Sequence, residues 1–443
     1  MAVLSRTAIR LALGTAIAAA ATLTTVAAPP ATAAPCGDSS STGSSGNSSL
    51  GGNSSLGGNS SLGGNGSLGG GADPVEPGSG PQGALPTWKD STSRIVSWVT
   101  GPKSPNTTLN RFTISGTDLG VAWDNGHGQT LMAFGDTFGW CNVTGHQWRN
   151  NVLTRTDDDN LADGLTIEPG KPGDTASGAV VIAPNDNYAT EMIRAIGQDF
   201  VEVTTIPTAG ISLGGKQYVN FMSVRHWGDA GVWDTNFSAI AVSSDNGQTW
   251  AADTSTIRVN APVTLALPQD APTVNVNNSR FQQSGYVRGH GDDPYVYQVG
   301  TPNGRFGRAY LARFHPGDIL NLAAYEYWTG TAWTSDLGAL SDDSAIVKDQ
   351  VTELSVAWCE YLGKYVMIDG DNGIRIRTAT AIQGPWSAPK TLVPAGAVVL
   401  YGPMMLPHSP ALTSTTDNRL YFNGSRWSDY NVMLVESKLN KNW

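Results

Sequence analysis

The stretch "LGVAWDNGHGQTLMAFGD", residues 119–136, has the pattern of a β-hairpin. One run rich in apolar residues precedes Asn125 and Gly126, and a second run follows them. An Asn-Gly pair between two such runs is a strong signal of a tight hairpin turn. The stretch therefore predicts two antiparallel strands that meet at a turn near Gly126.

The same pattern recurs along the chain, whereas no long segment has convincing helical periodicity. Further hairpins are predicted at residues 218–250, 309–333, 354–379 and 410–437, and the units begin near residues 118, 216, 308, 352 and 408. Sheets of about four strands, repeated around an axis, describe a β-propeller, and a two-sheet sandwich would need fewer residues and hairpins. We therefore predict an all-β fold, a five-bladed β-propeller.

The sequence "SSDNGQTW", residues 243–250, supports this fold at a single turn. It fits Ser-x-Asp-x-Gly-x-Thr-Trp, the Asp-box found at blade hairpins of sialidase-like propellers. We expect Asp245 to accept backbone N–H groups, Gly247 to adopt a positive φ and Trp250 to pack under the hairpin. The motif is a folding element, and we assign it no catalytic role.

The N-terminal segment has the features of an export signal. Arg6 and Arg10 accompany an apolar run, and "ATA" at residues 31–33 is a small-residue cleavage site, which predicts a secretory signal peptide over residues 1–33. "NSSLGG" then repeats at residues 47, 53 and 59, which predicts a flexible Gly/Ser/Asn-rich linker over residues 34–84. The propeller domain is expected at residues 85–443. The protein is predicted to be secreted, with the linker acting either as a plain spacer or as a tether to the cell wall.

Composition and cysteine content limit the classes of partner. Acidic residues exceed basic ones, 37 against 27, which argues against nucleic acid and anionic membrane surfaces. Beyond the signal, no apolar run approaches the length of a membrane span, and a monomer is expected.

The three cysteines are Cys36, Cys141 and Cys359. A Cys141–Cys359 disulfide suits an oxidising compartment, but the odd number leaves the pairing open.

Asp118 and Asp136 stand at the two outer ends of the first hairpin. A carboxylate within so apolar a stretch is costly to desolvate unless it is paired, hydrogen-bonded or used in chemistry. An antiparallel pair of strands brings its ends together, and neighbouring carboxylates raise one another's pKa, which can keep one of them protonated near neutral pH. The two residues are therefore candidates for a catalytic acid and base. The alternative is that each caps a turn or a strand end.

Other residues compete for a place in a site. Glu353 begins a hairpin in the same manner as Asp118, and Asp292 precedes a predicted strand. No His-x-x-x-His, Cys-x-x-Cys or Gly-x-Ser-x-Gly spacing occurs, so no metal ligands and no cofactor are predicted, although a calcium ion on the propeller axis is left open. Side chains suited to hydrogen-bonding or stacking against a sugar are Arg149, Asn150, Asn151, Arg225, His226, Trp227 and His408.

Several long strings together resemble a known enzyme family. They are "DLGVAWDNGHGQTLMAFGDTFG", "WRNNVLTRTDD", "YVNFMSVRHWG", "DDPYVYQVGTPNGRFGRAYLARF", "ELSVAWCEYLGKYVMI" and "LYGPMMLPHSPAL". They are similar to the actinobacterial endo-D-arabinanases (endo-D-arabinofuranases), glycoside hydrolase family 183, formerly classed as a domain of unknown function. The resemblance covers nearly all of residues 86–443. It implies a five-bladed propeller that cleaves α-linked D-arabinofuranose chains, such as those of arabinogalactan and lipoarabinomannan, with Asp118 and Asp136 at the catalytic positions.

The leading hypothesis is a secreted glycosidase that hydrolyses internal arabinofuranosyl linkages, with inversion favoured over retention. One carboxyl group would protonate the leaving oxygen, and the other would activate water or attack the anomeric carbon. The alternative is a non-catalytic propeller that binds cell-wall glycan or a protein partner, which does not need both aspartates. Sialidase-like chemistry would require an arginine cluster and a Tyr–Glu nucleophile pair, which the sequence does not supply convincingly.

Overall fold

The computed structural model describes residue 36, residues 82–260 and residues 275–443. The predicted signal peptide and most of the predicted linker lie outside these ranges. In chain order the first strands are β1 (Ser93–Trp98), β2 (Leu119–Asp124), β3 (Thr130–Phe134), β4 (Val152–Thr156), β5 (Val181–Ile182), β6 (Asn185–Ala189), β7 (Thr204–Leu213), β8 (Lys216–Trp227), β9 (Trp233–Ser243) and β10 (Ala251–Val259). They are followed by β11 (Gln283–Arg288), β12 (Val296–Thr301), β13 (Gly307–Phe314), β14 (Glu326–Trp328), β15 (Trp333–Thr334), β16 (Val347–Val351), β17 (Leu354–Cys359), β18 (Lys364–Asp369), β19 (Ile374–Ala379), β20 (Lys390–Val393), β21 (Leu400–Met405), β22 (Arg419–Arg426) and β23 (Asn431–Lys438).

Helical segments within the described residues are short. Two are α-helical, Thr108–Phe112 and Pro410–Thr413. The 3₁₀ segments are Thr144–Gln147, Val276–Phe281, Pro316–Asp318, Leu322–Ala324, Leu337–Ala339 and Asp342–Ser344. None of the helices in this part of the chain is both long and apolar enough to cross a membrane.

Five antiparallel sheets form the blades of a β-propeller, which confirms the predicted fold class. Blade I is β2-β3-β4, blade II is β7-β8-β9-β10, blade III is β11-β12-β13-β14-β15 with β16 beside β13, blade IV is β17-β18-β19-β20, and blade V is β21-β22-β23-β1. The strands β2, β7, β11, β17 and β21 contact one another in that order, and β21 contacts β2 again. These five are therefore the inner strands around the axis.

The ring is closed by the N-terminal strand of the propeller. Strand β1 pairs antiparallel with β23, so the first and the last strands of the propeller share blade V. The side-chain hydroxyls of Ser93 and Ser437 lie 2.6 Å apart within this pairing. Apolar side chains fill the space between neighbouring blades; between blades I and II, for example, Trp123 and Leu131 pack in one cluster with Phe221. Burial of these faces is the main stabilising contribution to the assembly.

The Asp-box forms the turn between β9 and β10 as the sequence predicts. Asp245 accepts hydrogen bonds from the backbone N–H of Thr249 at 2.9 Å and from its hydroxyl at 2.6 Å. Gly247 adopts a φ of 82°, and the indole of Trp250 donates to its carbonyl at 3.0 Å. Burial tends to raise the pKa of Asp245, but these hydrogen bonds outweigh it and hold the pKa below its usual range.

The disulfide differs from the pairing considered above. Cys141 is bonded to Cys36, whose Cα lies 5.0 Å away, and not to Cys359. Cys359 is a free thiol buried at the end of inner strand β17, where its Sγ lies 3.1 Å from the carbonyl oxygen of Ala411. A cysteine inside the core cannot reach a surface loop, so the correct partner for Cys141 comes from the predicted linker.

The last residues of the predicted linker pack on the propeller. The Gln82 side chain is 1% exposed and donates to the carbonyl of Thr100 at 2.9 Å. The backbone N–H of Gly83 donates to Asp429 at 2.6 Å. The packed part of the chain thus includes residues 82–84, just before the predicted boundary at residue 85.

Candidate active site

One face of the propeller gathers the amino ends of the five inner strands. In antiparallel blades, the loop between the second and third strands returns to the end where the first strand begins. We call this side the amino-end face. The residues within one position of the start of the inner strands include Asp118, Thr204, Gln283, Glu353 and Tyr401. The loops on the same face are residues 135–151, 228–232, 302–306, 370–373 and 427–430.

Asp118 and Asp136 lie beside each other across the β2–β3 pairing. Leu119 pairs with Phe134, and the N–H of Gly135 donates to the carbonyl of Asp118 at 3.2 Å. The sequence-based expectation that the hairpin brings the two aspartates together is therefore confirmed. Gly135 leaves room for the Asp118 carboxylate, because a Cβ atom at position 135 would lie 2.4 Å from Oδ1 and would force that side chain to move.

Asp118 is partly buried, and its pKa is raised to about 7. Burial is the main cause, and the negative charge of Glu353 adds to it, while the Tyr401 hydrogen bond and the positive charge of Arg305 oppose the rise. The Tyr401 hydroxyl donates to Oδ2 at 2.9 Å. The other oxygen, Oδ1, is buried and has no hydrogen-bond partner among the described residues. One oxygen is thus fixed, and the other is left as an unused acceptor.

Asp136 is more deeply placed, with 7% of the residue exposed. Burial raises its pKa well above the usual range, the charges of Asp118 and Glu191 raise it further, and the hydrogen bond from Thr204 opposes the rise. The Thr204 hydroxyl donates to Oδ1 of Asp136 at 2.6 Å. Tyr430 lies beside both aspartates, since their charges also raise the pKa of its buried phenol. Asp136 therefore has one neutral hydrogen-bond donor, Thr204, and its raised pKa favours the protonated form.

Glu353 joins this centre as half of a buried ion pair. Arg305 donates to both Glu353 oxygens, at distances of 2.7 and 3.0 Å, and is 4% exposed. The guanidinium carbon lies 5.0 Å from the Tyr401 ring centre and 4.8 Å from that of Trp427. The Trp427 ring stacks on Tyr401 at 4.1 Å. The Glu353 carboxylate is therefore paired with Arg305, and the guanidinium in turn packs against Tyr401, which holds Asp118.

Glu191 is a further carboxylate in this centre that the sequence did not single out. Its backbone pairs with Val152 at the start of β4, and its Oε1 accepts a hydrogen bond from Asn150 at 2.6 Å. Burial raises the pKa of Glu191, while the hydrogen bond from Asn150 lowers it. Asn150, predicted to contact a sugar, thus holds Glu191 near Asp136.

Two of the predicted sugar-binding residues support the backbone instead. Arg149 is 2% exposed and donates to the carbonyls of Phe112, Thr113 and Ala189. Asn151 is fully buried; its amide nitrogen donates to the carbonyls of Ile193 and Thr205, and its Oδ1 accepts from two backbone N–H groups. Both side chains fix the loop that carries Asp136, and neither is open to a ligand.

The other predicted residues divide between the two faces. Arg225, His226 and Trp227 end strand β8 on the amino-end face, at the rim of blade II. Asp292 is exposed in the loop between β11 and β12, and His408 follows the carboxyl end of β21. Both lie on the opposite face, so the structure does not bring them to the aspartate pair. Asp292 does precede a strand, but that strand is β12, the second of blade III, and His408 lies after the inner strand β21 instead of before it.

A cavity of about 390 Å³ lies on the axis between this centre and the opposite face. Residues of all five inner strands line it, including Trp123, Ile211, Tyr286, Val356 and Met404. The lining is mostly apolar or small and includes neither Asp118 nor Asp136. Among the described residues, no three His, Cys, Asp or Glu side chains are grouped so that they could hold a metal ion. The amino-end face itself offers two neighbouring carboxyl groups with raised pKa values, Asp118 and Asp136, which are suited to donating a proton and accepting one.

The raised pKa of Asp118 predicts a pH-dependent stability. An unfolded aspartate has a pKa of about 4, whereas Asp118 in the folded protein has one of about 7. The protonated carboxyl therefore stabilises the fold fully below about pH 4, and this contribution is lost as the pH rises through 7. The melting temperature of Asp118→Asn minus that of the wild type should therefore increase from pH 5 to pH 8, by roughly 2 °C or more. If the melting temperatures of the two proteins change with pH in the same way across this range, the raised pKa of Asp118 is contradicted.

Sequence and structure comparisons show which known proteins this chain is similar to. The protein is 24% identical over 337 residues to "Notoamide biosynthesis cluster protein J" of Aspergillus sp. (strain MF297-2), covering 72% of this chain and 81% of that protein. A similar solved structure is the catalytic domain of a GH62 α-L-arabinofuranosidase from Coprinopsis cinerea, at 15% identity and a TM-score of 0.41, covering 79% of this chain and 98% of that one. Another is an arabinanase from Bacillus subtilis, at 11% identity and a TM-score of 0.37, covering 74% and 97%.

The family comparison extends over most of the propeller. Residues 103–436 match the model of the family described as a domain of unknown function, DUF4185. The matched range contains both aspartates, the Arg305–Glu353 pair and Tyr401. Because it covers well over half of the chain, the protein belongs to the DUF4185 family.

Proposed function

We propose that the protein is a secreted glycoside hydrolase that cleaves internal α-D-arabinofuranosyl linkages of cell-wall D-arabinan. The observation that carries this proposal is the pair of neighbouring carboxyl groups, Asp118 and Asp136, at the amino-end face, both with a raised pKa. Glycoside hydrolysis needs two such groups, one protonated and one ionised. The resemblance of several long strings to endo-D-arabinanases supports D-arabinan, the polymer of arabinogalactan and lipoarabinomannan, as the substrate.

The different surroundings of the two aspartates suggest separate roles. Asp136 is the more deeply buried and faces the charges of Asp118 and Glu191, so it keeps its proton to higher pH. We assign it the role of general acid, which protonates the leaving glycosidic oxygen. Asp118 accepts a hydrogen bond from Tyr401, which favours its ionised form, and has a free acceptor oxygen. It would then act as the base that takes a proton from water, in an inverting reaction.

The loops around the aspartates are suited to binding a long polysaccharide on both sides of the bond that is cleaved. Exposed or partly exposed aromatic rings from different blades stand on the same face, among them Trp427 on blade V, Phe306 on blade III and Phe200 at blade II. Such rings offer stacking surfaces on more than one side of the carboxyl pair. A polymer crossing this face would be cut away from its ends. The signal-like N-terminus supports export to the compartment where wall arabinan is found.

The size of the products tests this proposal. The full chain is incubated with purified D-arabinan, and the products are separated by chain length at early and late times. We expect oligosaccharides from the start, with little free arabinose. Free arabinose as the sole early product would contradict internal cleavage. Binding of arabinan without any cleavage would instead favour the alternative of a non-catalytic wall-binding propeller.

A further inference from the structure

Phe200 stands at the tip of a closed turn beside blade II. The turn is held by two reciprocal backbone hydrogen bonds, each 2.8 Å, between Gln198 and Glu202. At its tip, Phe200 has a φ of 59°, a left-handed conformation that bulky residues rarely adopt. The residue is nevertheless 60% exposed. A large apolar side chain is thus exposed to solvent at a position whose backbone conformation is unfavourable for a bulky residue.

The ring is fixed in this position by its neighbours. It stacks on the imidazole of His226 with 4.1 Å between ring centres and 14° between planes. Nδ1 of His226 lies 2.7 Å from Oδ1 of Asp199, which sets the orientation of the imidazole. Arg225 donates from Nε to the carbonyl of Phe200 at 3.1 Å. Backbone and ring are therefore both ordered before any ligand arrives.

Neither feature is explained by the folding of the propeller. The Phe200 ring contributes little to the core, and a left-handed conformation at a non-glycine residue is energetically unfavourable. Sites where such strain and an exposed aromatic ring coincide are commonly binding surfaces. Preorganisation lowers the entropy that a ligand must otherwise remove on binding. The arrangement is that of a prepared stacking surface.

The position of the turn connects it to the aspartate pair. Thr204, whose hydroxyl donates to Asp136, follows Phe200 by four residues. Four residues span at most about 14 Å, so one extended ligand can touch both places. Glu202, which lies between them in the sequence, accepts a hydrogen bond from the Ser223 hydroxyl at 2.6 Å, which holds the segment against strand β8.

We propose that Phe200, supported by His226, is a distal subsite that stacks on an uncharged sugar residue of the polymer bound at Asp118 and Asp136. This inference rests on the proposed function. The subsite binds chains long enough to extend from the carboxyl pair across the rim of blade II. It is a binding element only and takes no part in proton transfer.

The test compares long and short substrates in Phe200→Ala and Phe200→Trp. For Phe200→Ala, KM on long D-arabinan should rise about fivefold or more, the scale expected for a lost stacking contact. KM on the shortest oligosaccharide that the wild type cleaves should stay nearly unchanged, as should kcat on both. Phe200→Trp should restore the wild-type KM on the polymer. Ile182→Ala, which removes a residue 63% exposed on the β5–β6 hairpin, is the matched control.

The outcomes separate this inference from the proposed function. If the wild type cleaves D-arabinan and Phe200→Ala changes KM equally for long and short substrates, or changes neither, the subsite is refuted while the enzyme assignment stands. If the wild type cleaves no arabinan, the proposed function fails first. A melting temperature of Phe200→Ala close to that of the wild type shows that any KM effect is not a folding defect.

Discussion

Asp118→Asn and Asp136→Asn are each expected to lower turnover of D-arabinan by about 100-fold or more, the range expected for loss of general acid or base catalysis. Asparagine keeps the volume of the side chain and an acceptor oxygen for Tyr401 or Thr204, so both variants should fold. The measurement is kcat on purified arabinan, with a melting curve for each protein. Near-normal turnover in both folded variants would show that the aspartate pair does not carry the reaction.

The control for these variants is Asp245→Asn in the Asp-box. It removes the charged group that accepts hydrogen bonds from Thr249. Asp245 is far along the chain from the aspartate pair. We expect a loss of about 1–3 kcal/mol in unfolding free energy with nearly unchanged intrinsic turnover. A variant that loses activity only through instability would resemble this control, whereas a catalytic variant would not.

An activated leaving group separates the roles of the two aspartates. A nitrophenyl arabino-oligosaccharide needs little protonation at the leaving oxygen, so it should restore much of the activity of Asp136→Asn. It should not restore Asp118→Asn, because activation of water is still required. The reverse pattern would exchange the acid and the base while leaving the pair intact.

The pH profile follows from the same two groups. Activity should rise as the pH approaches 7, where Asp118 loses its proton. It should fall again at higher pH when Asp136, whose pKa burial and the charge of Asp118 raise, becomes ionised. The two apparent values belong to the coupled pair. Loss of the acidic limb in Asp118→Asn, with the alkaline limb retained, is the expected signature.

The sequence predicts the aspartate pair because both residues belong to one hairpin. Its Asn-Gly turn and alternating pattern set the register, and the register brings Asp118 beside Gly135 and Asp136. Local pattern was less successful at the blade boundaries. Blades II and III begin with β7 and β11, earlier than the predicted starts near residues 216 and 308. Strand β7 contains Pro207 and β11 contains Gly285, residues that weaken a strand pattern.

The supporting residues of the site could not be predicted in this way. Tyr401 is 283 residues from Asp118 in the chain, and Arg305 is 48 residues from Glu353. Each pair meets only because closure of the ring brings inner strands and loops of different blades to one face. The pairing of Cys36 with Cys141 likewise depends on a contact from outside the propeller pattern. Residues joined by such closure leave no signal within a single hairpin.

Glu353→Leu is expected to destabilise the fold by about 3–5 kcal/mol, since it leaves a buried charge without its partner. Arg305 is 4% exposed and would retain only Asp371, whose Oδ2 lies 3.7 Å from its Nη1. Urea unfolding at neutral pH measures the loss. The double variant Arg305→Met with Glu353→Leu removes both charges and should recover much of the stability.

The catalytic effect of Glu353 should be smaller than its structural effect and of a different kind. Its charge raises the pKa of Asp118, and the Tyr401 ring that holds Asp118 lies 5.0 Å from the Arg305 guanidinium carbon. Glu353→Gln removes the charge while keeping an acceptor for Arg305. The acidic limb of the pH profile should therefore move to lower pH, with kcat at its maximum reduced far less than in Asp118→Asn. A hundredfold loss of kcat at every pH in a folded Glu353→Gln protein would make Glu353 itself a catalytic carboxyl group.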